Sequence, residues 1–341
     1  MSSTRSFTIG AVVVAISAAA AAIVFMLMES KLKVKSPKDR QEENKKWQDA
    51  ALKEEGGRQK SQLAVKSGHS VATEELLELK RLYQAKAEYS DTLTASVVPF
   101  HCLQPNGKEL WRLGLKPGYD WTDVKVGMKK LEEEDPSARM VYLVRHGEGI
   151  HNVAERELGS ERWETVEALS DKYFDAPLNN VGIDQCVDLN KAVVNAMQDG
   201  MKVDVIIVSP LTRAIETAKY GFASIWGKVP VFAVEMARER FGKNKCDKRK
   251  PITQLKSEFP EVNFDLFMES EQDSWFTTKR EDDEAISKRI AYFYNWLIQS
   301  QWKNVAIIGH SSYMAHSIQN LGAPYHWPAN CELVPLVVRK S

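Results

Sequence analysis

The segment VYLVRHGEGIHN, residues Val141 to Asn152, decides the fold class of this chain. It opens with four apolar or aromatic residues, which is typical of a buried strand. An arginine and a histidine then stand side by side where the strand leaves the core, followed by a glycine and a glutamate. Two basic side chains at the end of a strand predict an anion-binding site at one edge of a sheet.

Apolar, β-branched runs alternate with helical patterns from about residue 139 to the end of the chain. Strands are predicted at RMVYLV, VDVIIV, VPVFAV and NVAIIG, and helices at residues 179–200, 211–225 and 282–300. This alternation is typical of α/β proteins and predicts a three-layer α/β/α sandwich with a mostly parallel central sheet. The last run, ELVPLVV, is expected to be an edge strand because Pro335 has no N–H to donate.

Composition sets limits on the partners. The chain has 341 residues, 43% of them hydrophobic, which is enough for one large domain with additional segments. Lys plus Arg and Asp plus Glu both number 46, so the net charge of zero gives no argument for nucleic acid as a partner. The four cysteines lie far apart in the sequence without a CxxC motif, which argues against zinc and indicates separate thiols in a reducing compartment.

An uncharged run, IGAVVVAISAAAAAIVFMLM, covers residues 9–28. As a helix it is long enough to cross a hydrocarbon core of ~30 Å. Basic residues stand on both sides of it, five of them between positions 31 and 40. We therefore expect a transmembrane anchor within residues 1–30, with the rest of the chain in the cytosol. The alternative is a cleaved signal peptide and the secretory pathway, although the apolar region of such a peptide would be shorter.

The anchor is followed by two further regions. Residues 31–90 are predicted to be a charged linker with one helical segment, TEELLELKRLYQAKAEY. The apolar side chains that share one face of this helix are Leu76, Leu79, Leu82 and Tyr83. That face is expected to pack on the main domain, the alternative being a helix on the membrane surface. Residues 91–138 read as an N-terminal extension of the catalytic domain, which occupies residues 139–341.

Polar groups follow three of the predicted strands. Arg145 and His146 come after VYLV, Arg213 comes a few residues after VIIV, and His310 comes after VAIIG. Ligands of open α/β sheets bind beyond the carboxyl ends of the strands, so two arginines and two histidines should meet in one pocket of oxoanion size. The helices that begin after these strands point their N-termini in the same direction.

A pocket that only bound phosphate would need no imidazole at its floor. One histidine could attack phosphorus, while the other and the arginines neutralise charge on the equatorial oxygens. Gly147 is expected to let the backbone approach the ligand closely. The leaving oxygen needs a proton donor, and both Glu235 and Glu239, at the end of VPVFAVEMARERFG, are candidates.

Together these motifs resemble the histidine phosphatase superfamily, in its phosphoglycerate mutase-like branch. RHGEGIHN, SPLTRAIETA and GHSS occur in the family's order, with FDAPLNNVGIDQ between the first two, and the resemblance covers about residues 139–341. RHGEGIHN and RERFGKNKCDKRK look most like a eukaryotic group of mutase-like phosphatases. The resemblance implies a phosphoglycerate mutase-like fold and a reaction on a small phosphorylated substrate without a metal or organic cofactor.

Carried over residue by residue, the resemblance makes His146 the phosphorylated nucleophile and Glu239 the proton donor. The residues that it places around the phosphoryl group or substrate are Arg145, Asn152, Arg213 and His310. Mutases continue after the glutamate with a glycine-rich substrate segment, whereas this chain has RFGKNKCDKRKPI, which favours hydrolysis. Mutase-type phosphoryl transfer and a non-catalytic phospho-ligand-binding module are the alternative functions.

Some nearby polar residues have two interpretations. His151 either lines the pocket or satisfies a loop, and Glu148 either caps a helix or takes part in catalysis. The basic run at residues 243–250 is either a solvated loop or a mouth that attracts polyanionic substrates. His316, six residues after His310, is expected to pack.

Overall fold

The computed structural model describes residues 74–84, 95–97 and 113–340. The anchor expected at residues 9–28, and most of the charged linker, lie outside these ranges. Within them, no helix combines the length and the apolar character that a membrane span requires.

One mixed sheet forms the centre of the described part. Its strands are β1 Ala95–Val97, β2 Arg139–Arg145, β3 Val205–Val208, β4 Val231–Ala233, β5 Asn304–Gly309 and β6 Leu333–Lys340. They lie in the order β1-β6-β2-β5-β3-β4. Strands β2, β5, β3 and β4 are parallel to their neighbours, whereas β6 runs antiparallel to both β1 and β2. The mostly parallel sheet predicted from the alternating pattern is therefore confirmed.

Helices cover both faces of this sheet. They are α1 Glu74–Gln84, α2 Trp121–Glu134, α3 Ile150–Leu158, α4 Ser160–Thr165, α5 Asn180–Gln198, α6 Thr212–Gly221, α7 Ile252–Glu258, α8 Asp283–Leu297 and α9 Ser311–Asn320. Because neighbouring side chains of a strand point to opposite faces, Tyr142 of β2 packs with α2, α5 and α6. Leu143 packs on the other face with α1, α8 and α9. The result is the predicted arrangement of three layers.

Helix α1 packs on the main domain, as its apolar face predicts. Leu79 and Tyr83 are buried among the residues of the second face. The Tyr83 ring lies 5.5 Å from that of Trp296 and 5.4 Å from that of Phe267, measured between centroids. Trp296 also donates its indole N–H to the Leu79 carbonyl at 2.9 Å, which joins α1 to α8.

The prediction that the last strand lies at an edge is wrong. Strand β6 lies inside the sheet, and its Pro335 stands opposite Tyr142 of β2. Proline is tolerated there because β1 pairs only with Val338 to Lys340 of β6, so no described strand requires an N–H from position 335 on that side. Pro335 does need a neighbour that accepts no N–H from it, as the sequence indicated. The short strand β1 meets this need, although β6 is not an edge strand.

Two of the cysteines are not separate in space. The sulfurs of Cys186 in α5 and Cys331 before β6 lie 3.4 Å apart as buried free thiols. Cys331 has a positive φ of 57°, and its N–H donates to the Arg145 carbonyl at 3.0 Å. This contact ties the connection before β6 to the end of β2, where the candidate site lies.

Candidate active site

The three predicted strand ends meet at one edge of the sheet. Strands β2, β5 and β3 are adjacent and parallel, so their carboxyl ends lie side by side. The His146 N–H donates to the Gly309 carbonyl at 3.0 Å, which places the end of β2 against that of β5. The rings of His146 and His310 have centroids 5.1 Å apart. Together with Arg213, whose guanidinium reaches His146, they form the cluster that the sequence predicts.

The hydrogen bonds of His146 fix its tautomer. Its Nδ1 lies 2.7 Å from the Gly147 carbonyl oxygen, which can only accept, so Nδ1 carries the proton. The lone pair of Nε2 then accepts from Nε of Arg213 at 3.2 Å. Burial lowers the pKa of His146 well below its ordinary value, and the positive charge of Arg213 lowers it further. The imidazole is therefore neutral, with its unprotonated nitrogen directed at the cationic side of the pocket.

Arg213 is held from three sides at the start of α6. It is 1% exposed. Besides the bond to His146, its guanidinium donates to the Cys246 carbonyl at 2.6 Å and to Oδ1 of Asp247 at 2.6 Å. The other carboxylate oxygen of Asp247 accepts from Arg280 at 2.5 Å. Burial acts to raise the pKa of Asp247, but Arg280 and Arg213 outweigh it, so that the pKa is lowered and the carboxyl is ionised.

Arg145 adds a second cation at the end of β2. It donates to the Pro328 carbonyl at 2.9 Å, while its Nε is enclosed without a hydrogen-bond partner. Burial lowers the pKa of Arg145, and the nearby charge of Glu239 acts in the opposite direction. A half-buried arginine with an enclosed, unused N–H is a ready donor for an oxoanion.

His310 stands at the N-terminus of α9 and faces the same cluster. Its Nε2 lies 2.8 Å from the Ser209 hydroxyl, and its Nδ1 is enclosed without a partner. Burial lowers the pKa of His310 well below its ordinary value, with Arg213 and His146 adding to the shift. The ring is consequently neutral and is anchored through one nitrogen.

Glu239 lies beside the first turn of α9 and keeps 8% exposure. Its Oε2 accepts from the Ser312 N–H at 3.1 Å, and its Oε1 accepts from the Arg240 N–H at 2.8 Å. Because Ser312 is two residues after His310, the carboxyl group is fixed close to the histidine cluster. Its role as proton donor remains a prediction.

Glu235, the second candidate acid, occupies a different environment. It is fully buried, and both of its oxygens are engaged by guanidinium groups. Arg249 donates to Oε1 at 2.8 Å and Arg238 to Oε2 at 3.1 Å. A carboxylate held between two arginines and removed from solvent is poorly placed to exchange protons with a substrate, so the geometry favours Glu239 as the acid.

The glycine after His146 has a packing constraint in addition to the role expected for it. A Cβ at Gly147 would lie 2.6 Å from the Gly182 carbonyl oxygen, so the position requires glycine for close packing against α5. Asn152 is used locally as well. Its Oδ1 accepts from the Gly149 N–H at 2.9 Å and closes the start of α3. A contact between Asn152 and substrate remains a prediction.

The residues with two interpretations separate clearly. Glu148 is structural, since Asn179 donates to one of its oxygens at 2.7 Å and Arg156 to the other at 2.6 Å. His151 lies beside His146, with its ring centroid 5.5 Å from that of His146. His316 packs as expected, and its Nδ1 lies 2.8 Å from the Ser312 carbonyl.

Three basic side chains of the run are engaged by carboxylates, and its attraction of polyanionic substrates remains a prediction. Arg249 is fully buried, Lys245 pairs with Asp171 at 2.8 Å, and Lys250 pairs with Glu258 at 2.7 Å. The acid within this run, Asp247, was missed by sequence reasoning, as was its partner Arg280. The one signal for Asp247 was its position as the single acid among lysines and arginines. Arg280 stands in a stretch without a motif, so no signal pointed to it.

Comparison with known proteins identifies the family of this chain. Residues 141–333 match the family model of the histidine phosphatase superfamily (branch 1), and the chain belongs to this family. A phosphoglycerate mutase-like protein of Arabidopsis thaliana is 30% identical over 210 residues, covering 54% of this chain and 75% of the relative. Phosphoglycerate mutase-like protein 1 of the same plant is 30% identical over 237 residues, covering 59% and 81%. The crystal structure of the ecdysone phosphate phosphatase of Bombix mori aligns with a TM-score of 0.42 at 17% identity, covering 57% of this chain and 87% of that one.

Proposed function

We propose that this protein is a phosphomonoester hydrolase that acts on a small phosphorylated metabolite through a phosphohistidine intermediate. The observation that carries the proposal is the tautomer of His146, whose Nε2 is unprotonated and lies against Arg213. A neutral imidazole fixed at a strand end needs no proton removed before it attacks phosphorus. Membership of the histidine phosphatase superfamily supports the same chemistry.

In the first step, Nε2 of His146 forms a bond to phosphorus while the bond from phosphorus to the ester oxygen breaks. Glu239 gives its proton to the departing oxygen, so that the alcohol leaves neutral. In the second step, water attacks the phosphorus atom, the P–N bond breaks and Glu239 takes up the proton of the water. Inorganic phosphate leaves, and both residues return to their starting states.

The remaining residues bind the phosphoryl group in this proposal. Arg145 and Arg213 supply positive charge to the equatorial oxygens, and the enclosed Nε of Arg145 gains a partner. His310 donates from its unused Nδ1, provided that the Ser209 hydroxyl donates to Nε2. Asn152 contacts the substrate through its amide NH₂, since its oxygen is bonded to the Gly149 N–H.

The decisive experiment compares wild type with His146→Ala on a panel of phosphomonoesters. Rapid quench with labelled substrate should trap an acid-labile, base-stable phosphoenzyme in wild type only. Turnover should fall by more than the ~10²–10⁴-fold that loss of a general acid causes. Circular dichroism would establish that the variant is folded. A folded His146→Ala protein that keeps substantial turnover, or that still becomes labelled, contradicts the assignment.

Mutase-type transfer is the alternative. It is favoured by the two Arabidopsis relatives, which are named phosphoglycerate mutase-like proteins. The two activities differ in the acceptor of the phosphoryl group, which is water in one case and a substrate hydroxyl in the other. Product analysis with labelled phosphoglycerate separates free phosphate from an isomerised ester. Phosphate binding without turnover of any substrate would instead indicate a non-catalytic phospho-ligand-binding module.

We also propose that residues 9–28 anchor the chain in a membrane as a single span, with the catalytic domain in the cytosol. The support is the length of this run, its lack of charge and the basic residues that follow it. Alkaline carbonate extraction of the full-length protein should leave it in the pellet. Uncleaved protein in the soluble fraction would contradict the anchor, and a mature N-terminus beyond residue 20 would instead support a signal peptide.

A further inference from the structure

His151 stands next to the proposed nucleophile but has no role in the mechanism above. Its ring lies between that of His146, 5.5 Å away, and that of Trp163, 6.4 Å away. Trp163 in turn packs edge-on against Tyr173 at 5.1 Å, within a small apolar cluster separate from the two main cores. The imidazole is thus a polar group at the point where an aromatic wall meets the phosphate pocket.

Neither ring nitrogen of His151 is used by the described residues. Its Nδ1 is enclosed without a hydrogen-bond partner, and the residue as a whole is 7% exposed. A Cβ built at Gly149 would come within 2.7 Å of Nδ1 and Cε1, so this edge of the ring lies against the backbone where α3 begins. Nε2, on the other side of Cε1, makes no hydrogen bond to the described residues and is not enclosed as Nδ1 is, so it is the nitrogen left to meet a ligand.

The surroundings of His151 point to an anionic ligand. Arg213 and Arg145 are close enough to act on its charge, and Asp247 opposes them. Burial and these two cations lower the pKa of His151 well below its ordinary value, so the ring is neutral and can donate one N–H. The Nδ1 of His151 lies against the backbone at Gly149, so an N–H there would stay unsatisfied even with a ligand bound, which leaves the proton on Nε2.

We propose that His151 is a substrate-binding residue whose Nε2–H donates a hydrogen bond to an oxygen of the phosphoryl group held on His146. The proposal rests on the proposed phosphatase function and adds a donor on the side of the pocket that faces Trp163. His310 and His151 then flank the nucleophile, at 5.1 Å and 5.5 Å between ring centroids. The position also explains the glycine at 149, because a side chain there would displace the imidazole.

The test uses orthovanadate, a mimic of the phosphoryl group in transfer, and p-nitrophenyl phosphate with the full-length protein. His151→Phe keeps a planar ring but removes the donor, and His151→Gln restores an N–H on a side chain of similar reach. The affinity for orthovanadate should fall about 10- to 100-fold in His151→Phe and recover in part in His151→Gln. Val153→Ala, which removes buried volume from the same helix, should change affinity less than about twofold.

A second readout separates binding from packing. In ¹⁵N NMR spectra of labelled protein, the Nε2 resonance of His151 should shift on addition of orthovanadate, whereas a packing residue would show no hydrogen-bond shift. Unchanged affinity in a folded His151→Phe protein, or loss of affinity in His151→Gln as severe as in His151→Phe, would overturn the proposal. If wild type bound no orthovanadate and hydrolysed no ester, the proposed function itself would fail, which is a different result.

Discussion

The structure contains two groups of arginines near the strand ends, and they differ in how their charge is balanced. The first, here called the phosphate cluster, consists of Arg145, Arg213 and Arg280. Within it one carboxylate, Asp247, forms ion pairs, at 2.6 Å to Arg213 and 2.5 Å to Arg280. Arg145 bonds to the neutral carbonyl of Pro328 instead. Three cations therefore share one ion-paired carboxylate, with the charge of Glu239 acting on Arg145 and Arg280 from nearby.

The second group, here called the scaffold cluster, consists of Arg238, Arg249, Glu235 and Asp273. Glu235 pairs with both arginines, and Asp273 pairs with Arg238 at 2.7 Å and accepts from the Arg249 backbone N–H at 2.9 Å. These ion pairs have no exposed side-chain surface. Two cations meet two carboxylates, and the charge is neutral.

Burying an ion is costly unless it is paired and hydrogen-bonded, and the scaffold cluster meets that condition by itself. The phosphate cluster does not. Under the proposed function, its excess positive charge is what a dianionic phosphoryl group would neutralise. In the sequence both clusters consist of arginines with acidic residues nearby. They can be distinguished only in the structure, by the number of carboxylates around each guanidinium.

The sharpest test of this difference is Arg213→Gln. The loss of a guanidinium from the phosphoryl site should lower kcat/KM by ~10³- to 10⁵-fold, as for arginines that stabilise a phosphoryl transition state. The free energy of unfolding should fall less than in Arg238→Met, because removal of one clustered cation also relieves repulsion among the three and Asp247 keeps its ion pair with Arg280. Steady-state kinetics and urea unfolding of the same preparation would measure both quantities. Nearly unchanged kcat/KM would remove Arg213 from the site.

Glu239→Gln should give the next largest effect. Without a proton donor, kcat for an alkyl phosphate should fall by ~10²- to 10⁴-fold. The loss should be much smaller for p-nitrophenyl phosphate, whose leaving group needs no proton. Glu235→Gln is the matched control in the scaffold cluster, and it should lower stability while leaving kcat of the folded enzyme largely intact. Equal losses on both substrates in Glu239→Gln would contradict the acid role.

Arg238→Met probes the scaffold cluster from the opposite side. It leaves Glu235 and Asp273 buried with less compensating charge, so the free energy of unfolding should fall by ~3–5 kcal/mol. The rate per folded molecule should stay within a few-fold of wild type, since Arg238 does not contact the histidines. Urea unfolding with active-site titration by orthovanadate would separate stability from activity. A specific loss of kcat without destabilisation would place Arg238 in the phosphate cluster.

The positions of the strand ends could be predicted from the sequence because their signal is local. An apolar run that stops at a polar residue, as at Arg145 and His310, identifies both the strand and the edge from which the side chain projects. Parallel pairing then brings such ends together without further information. The same reasoning could not find Asp247 or Arg280, whose contact joins irregular segments without a period or motif.

Two other discrepancies have the same origin. Gly147 was assigned to ligand approach, but a packing constraint on it comes from Gly182, which lies 35 positions further along the chain and reaches it through the packing of α5. Pro335 was read as an edge residue, but the length of β1 decides whether an N–H is needed there. In both cases the residue type indicated that the position is constrained. Which neighbour imposes the constraint depends on the tertiary structure.

The last prediction concerns pH and not a substitution: stability should fall on mild acidification, and the effect comes from the histidine cluster. Burial is the first cause of lowered pKa for His146, His151 and His310, and Arg213 adds to each shift. In the unfolded chain these side chains take up protons near pH 6.5, whereas in the folded protein they remain neutral to lower pH. The unfolded state therefore binds more protons below about pH 6.5, and stability falls as the pH is lowered through that value.

Each such histidine contributes a slope of about 1.4 kcal/mol per pH unit once its unfolded form is protonated and its folded form is not. The melting temperature should accordingly be level between pH 7 and 8 and decline from pH 6.5 to 5. His151→Phe removes one titrating ring of three. The part of the decline in melting temperature that the histidine cluster causes should therefore be smaller by about a third in this variant. A melting temperature that stays level down to pH 5 in wild type would show that the three rings protonate in the folded state as readily as in the unfolded chain. Burial and the charge of Arg213 would then fail to keep them neutral.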